Sequence, residues 1–167
     1  LRSQGLREVP VRPGRASRFI LRDGIELTVD VYAGDSVASA VIAAHEAAHA
    51  VQACGAGGRR LIFPYAAGRL AFPLCVLAAL ATALTGRGAP TALAISLASI
   101  PLVLFVVLVE ADADRKALDL LDELGLLRDP RRRKTAVLLI RARAARLIFW
   151  ALAPAVLALW LAQTGDR

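Results

Sequence analysis

"PLVLFVVLVEADADRKALDLLDELG", residues 101–125, changes character at a single position. Up to Val109 it is apolar, and from Glu110 onward it is acidic and then amphipathic. The apolar part begins upstream, so residues 92–109 form one uncharged run that contains Pro101. Its length is just under the ~20 residues that cross a hydrocarbon core. Beyond it, Ala113, Leu118, Leu121 and Leu124 recur at helical spacing and Gly125 ends the pattern. This change of character is that of a helix that leaves a membrane and at once presents acids to water.

Two further runs, residues 70–86 and 147–162, have the same composition, the second holding Pro154. Prolines are tolerated in membrane helices. Arg69 and Arg146 stand at run ends, where long basic side chains reach the headgroups. The chain is 57% hydrophobic with a mean hydropathy of +0.55. Ordinary soluble domains are roughly 45–50% apolar. The sequence therefore predicts a mainly α, integral membrane protein with about three transmembrane helices in one domain, residues 1–167. "TGRGAP", residues 85–90, joins the first two runs into a hairpin over 70–109.

Orientation follows from the basic residues. Of 21 Lys and Arg, 19 lie in residues 1–69 and 110–146, and only Arg87 and Arg167 lie elsewhere. The positive-inside bias then places both segments in the cytoplasm of a multi-pass protein of the cell membrane. The same bias accounts for the pI of about 10.6 and for "RDPRRRK", so no nucleic-acid partner is expected. The expected non-protein partner is the lipid bilayer.

The cytoplasmic segments have their own punctuation. Residues 1–22 carry six arginines and no periodicity, and read as a basic arm. Residues 24–32, "GIELTVDVY", alternate apolar and polar side chains and read as one short β-strand. Asp35 or Ser36 then caps a helix that Gly55 stops, completing a strand-and-helix segment over 24–60. Residues 110–146 read as acidic and basic helices, with Asp129 as N-cap and Pro130 as first helical residue of the second. Cys54 and Cys75 form no framework and read as buried free thiols. The chain has no methionine, even at position 1, which leaves room for a segment ahead of Leu1.

The capped helix contains "AVIAAHEAAHAVQACG", residues 40–55, which holds both histidines of the chain. His45 and His49 are four apart and therefore share a helix face, so two imidazoles can hold one ion. Glu46 stands beside them, where a carboxylate can take a proton from water. The surrounding Ala43, Ala44, Ala47, Ala48 and Ala50 give a buried imidazole no partner on this helix, and an unpartnered polar group is costly to bury. One Zn2+ bound by two histidines and a carboxylate resolves this. Glu110 is the candidate third ligand, at the cytoplasmic end of an apolar run although 61 positions from His49. Asp114, one turn on, can accept a hydrogen bond from the far nitrogen of a ligating histidine. Asp112 points away, toward solvent, Arg115 or Lys116.

"VIAAHEAAHAVQ", "PLVLFVVLVEADADRKALDLL" and the basic helix leading into the third run resemble the family of putative neutral zinc metallopeptidases of bacterial membranes. "LTVDVYAGDSVASA" fits the same pattern, so the resemblance covers residues 24–163. More distantly, the layout is similar to membrane zinc proteases of the heat-shock and prenyl-processing type, in which Glu-x-x-x-Asp follows HExxH. The resemblance implies a zincin-like HExxH helix with His45, His49 and Glu110 as ligands and Glu46 as catalytic base. It also implies a protein or peptide substrate cleaved by a hydrolase. Many relatives carry Gly before the second histidine, where this chain has Ala48, and an N-terminal extension with another membrane helix. The residues leave a second function open, that of a non-catalytic, zinc-stabilised membrane scaffold or adaptor, and a third, a scaffold without metal. The strand at 25–32 is a candidate edge for an extended substrate, and Tyr32 and Tyr65 are interfacial aromatics by type.

Overall fold

The computed structural model describes residues 9–21, 23–55, 58–85 and 89–164. Three strands come first, β1 (Val11–Gly14), β2 (Arg18–Ile20) and β3 (Gly24–Thr28), followed by one helical turn, α1 (Val29–Tyr32). Four long helices follow, α2 (Val37–Cys54), α3 (Gly58–Thr85), α4 (Ala89–Glu123) and α5 (Pro130–Thr164). The chain is mainly helical, as its composition predicts. It forms two compact units, one of Leu1–Leu61 with Glu110–Arg143, the other of Ile62–Val109 with Ala144–Arg167.

The β-structure corrects the sequence reading in three ways. There is a three-stranded sheet in the order β1-β3-β2, where one strand was expected. Two of its strands come from the segment read as a basic arm. Val11–Gly14 runs parallel to β3 and Arg18–Ile20 antiparallel to it. These strands are short and none of their residues is fully buried, so they carry no alternation that a sequence pattern could show. Charge complementarity helps hold them: Arg12 from β1 and Arg18 from β2 both bind Glu26 at the centre of β3. The expected strand also ends early, since Val29–Tyr32 turns helical and buries Val31. Finally, β3 is paired on both sides and has no free edge to offer a substrate.

α2 is built as the sequence indicates. Ser36, not Asp35, is the N-cap, its Oγ accepting from the Ser39 amide at 3.0 Å, an arrangement that contributes about 1 kcal/mol. The helix ends at Gly55, which is extended rather than left-handed. Ala48 and Ala50 are fully buried. Ala50 packs with Ile25, Leu27 and Val31, joining α2 to the sheet. On its other side Val41 and Ala44 pack with Ala117, Leu121, Leu127, Ala136 and Ile140. Leu121 is almost wholly buried there, which contributes roughly 1.5–3 kcal/mol. Gly125, at φ +69°, closes α4. Its amide donates to Asp122 and that of Leu126 to Leu121, satisfying the last carbonyls. Asp129 then caps α5 through the Arg131 amide, with Pro130 as its first residue.

In the second unit α3 and α4 lie close together. A Cβ on Gly68 would stand 2.4 Å from the Leu102 carbonyl oxygen. Ala71, Cys75 and Ala79 continue that buried face, and the Cys75 thiol lies 3.1 Å from the Ser99 hydroxyl. Among the described residues, two stretches are long and apolar enough to cross a membrane, Phe63–Ala81 and Ala94–Glu123. The third expected span, 147–162, is helical as part of α5, but many of its side chains lie outside those described. Residues 86–88 of the expected link at 85–90 also lie outside the described residues. The acidic and basic helices expected over 110–146 are continuous with the apolar ones, as the second half of α4 and the first half of α5. Cys75 is buried as expected, whereas Cys54, the last residue of α2, is exposed.

Candidate metal centre

α2 and the Glu110–Glu123 part of α4 supply the centre, with one residue from α5. His45 and His49 are one helical turn apart, their rings 4.5 Å between centroids and nearly perpendicular. The Nε2 atoms of both face the same carboxylate oxygen, Glu110 Oε2, at 3.3 Å and 3.6 Å. One ligating atom from each of the three residues lies within 4.8 Å of the other two. The structure thus brings together the two histidines and the distant glutamate. Asp114 joins them, with Oδ1 2.9 Å from His45 Nδ1. Glu46, next to His45, is half-buried.

The donor set fits a zinc ion on an observation of the fold itself. His45 is 1% exposed, and although Asp114 stands against its Nδ1, its Nε2 makes no well-directed hydrogen bond. A buried imidazole in that state is costly. Two imidazole nitrogens and one carboxylate oxygen on one side of a helix pair are a donor set that zinc accepts, with a further position left for water or substrate.

The electrostatics are those of a preassembled anionic site. Burial works against a charge on His45, but the facing carboxylates of Asp114 and Glu110 outweigh it, with Arg143 opposing them. The imidazole pKa is held above its ordinary value. Arg143, from α5, pairs with Glu110 Oε2 and lies 3.7 Å from Asp114 Oδ1. A guanidinium between two buried carboxylates screens their mutual repulsion.

Two participants escaped the sequence reading. Arg143 is one of many arginines in a basic helix, and nothing local marks it. Gln52 corrects the expectation that α2 offers its histidines no partner: its Oε1 is 2.9 Å from His49 Nδ1. Its spacing of three from His49 was the available signal. Asp112 pairs with Lys116 as expected, but it does not simply point away, since it also accepts from Gln52 Nε2 at 2.8 Å. Of the two tyrosines, Tyr65 accepts a hydrogen bond from Arg69 at 3.2 Å.

No curated protein and no solved structure matches the chain. A family model does, over residues 1–162, which takes in the HExxH helix, the acidic turn of α4 and the helix that carries Arg143. By that match, and with a histidine pair and a glutamate gathered as such chemistry needs, the chain belongs to the family described as putative neutral zinc metallopeptidase.

Proposed function

We propose that the protein is a zinc-dependent endopeptidase of the cell membrane, with its centre on the cytoplasmic side. The observation that carries this reading is the convergence of His45, His49 and Glu110 at one point from two helices far apart in sequence. These three side chains would hold the ion. Zinc, when bound there, supplies a Lewis acid that polarises a scissile carbonyl and makes a water nucleophilic at neutral pH.

The chain's own residues do the rest. Glu46, half-buried and adjacent to His45, accepts the water proton and delivers it to the leaving amine. Asp114, against His45 Nδ1, favours the tautomer whose Nε2 is free to ligate. Arg143 balances the charge of Glu110 and Asp114. The substrate class is a peptide or protein. The membrane location is supported by the two long apolar stretches and by the distribution of 19 of 21 basic residues in segments 1–69 and 110–146.

Replacing Glu46 by Gln tests the mechanism. The variant keeps stoichiometric zinc, measured by metal analysis, and loses cleavage of casein or a membrane-protein substrate by roughly 10²–10⁴-fold, the usual contribution of a general base. Equal cleavage by both forms overturns the role of Glu46. Zinc retained by a wild type that cleaves nothing favours the scaffold reading instead.

A further inference from the structure

Resting on the zinc reading above, we propose that Gln52 and Asp112 are positioning residues that fix the tautomer of His49 and aim its Nε2 lone pair at the ion. The direction of every hydrogen bond in the chain from α4 to His49 is forced. Asp112, beside the Lys116 ammonium, is a carboxylate and can only accept. Gln52 must therefore turn its NH2 group toward Asp112, where Nε2 lies 2.8 Å from Oδ2. Its Oε1 then faces His49 Nδ1 at 2.9 Å, and an amide oxygen can only accept. Nδ1 carries the proton. A neutral imidazole has one N–H, so Nε2 keeps its lone pair. Nε2 is the atom that faces Glu110 Oε2.

The two histidines are thus set by different means. His45 has a carboxylate, Asp114, directly against its far nitrogen. His49 has a neutral amide whose orientation is dictated by a carboxylate one link further out. An amide alone could flip and present NH2 to Nδ1, which would put the proton on Nε2 and block ligation. Asp112 prevents the flip. Lys116, one turn beyond Asp112 on α4, anchors the acid in place.

The test uses the full chain in detergent. Zinc affinity is measured by competition with a chromophoric chelator, and ligand geometry by the visible absorption of the Co2+ form. Gln52→Leu is expected to weaken zinc binding about 10–100-fold, as loss of such outer partners does, and to shift the Co2+ bands. Asp112→Ala, which leaves Gln52 in place, should weaken binding less and shift the same bands, and it serves if Gln52→Leu fails to fold. The double substitution Gln52→Glu with Asp112→Asn exchanges acid and amide but still sets an acceptor on Nδ1, and is expected to restore affinity and spectrum. Equal zinc affinity and unchanged Co2+ bands in Gln52→Leu or Asp112→Ala, with His49→Ala clearly weakened, would overturn the positioning role and leave the zinc site standing. A double variant no better than Gln52→Leu would reduce Gln52 to packing and also overturn it. A wild type that binds no zinc removes the metallopeptidase reading itself, and this one with it.

Discussion

His45 is the most enclosed ionisable side chain of the centre, and its charge decides how the centre answers pH. Its pKa is raised in the fold. In metal-free protein the pairing of an imidazolium with Asp114 and Glu110 therefore stabilises fully below the ordinary histidine range, and that contribution disappears as pH rises through the raised value. Zinc needs the neutral ring, so stabilisation by zinc grows over the same interval. Thermal melting across this range should fall with pH for chelated protein, while the gap between loaded and chelated protein widens. A chelated form that gains stability on the alkaline side would contradict the pairing. The meeting of His45 and His49 was legible because a helix makes spacing into geometry, and that of Glu110 with them because it is the first charge after an apolar run. Arg143 was not: in "RARAARL" only packing selects the arginine that turns toward the acids.

Among the elements, α3 and α4 are held apart by little more than a hydrogen at Gly68. Alanine is the better helix former by about 1 kcal/mol. Yet its methyl would meet the backbone oxygen of Leu102 and the Val106 side chain, and overpacking of that kind costs roughly 1–3 kcal/mol. A backbone oxygen cannot step aside as a side chain can, so the clash should win. Gly68→Ala is expected to lower the melting temperature in detergent, and Gly68→Leu to lower it further. Ala66→Leu, on an exposed part of the same helix, should leave it unchanged. Equal melting of all three would show that the hairpin is looser than described. The helices were legible from apolar runs, caps and Gly125. The outer strands were not, since "VRPG" and "RFI" are too short for a period, and it is Glu26 across the sheet that gathers their arginines.

For the molecule as a whole, apolar exposure is concentrated in the unit of Ile62–Val109 and Ala144–Arg167. Leu70, Leu77, Leu104, Leu108, Phe149 and Trp160 all face outward there. Exposed apolar surface of this extent marks an interaction surface, and the proposed membrane location makes lipid its partner. The chain should remain in membranes after an alkaline carbonate wash. Its exposed thiol, Cys54, should react with a membrane-impermeant maleimide only once cells are opened; labelling of intact cells would place the centre on the outer side.

Neither unit is a continuous length of chain. No single truncation can therefore release the histidine-bearing half from the greasy one. A water-soluble derivative would take an excision of residues 62–109, a new bridge from 61 to 110, and a stop after 143. Arg143 would then be its last residue, so the final amino acid of such a miniature would still be one that touches Glu110.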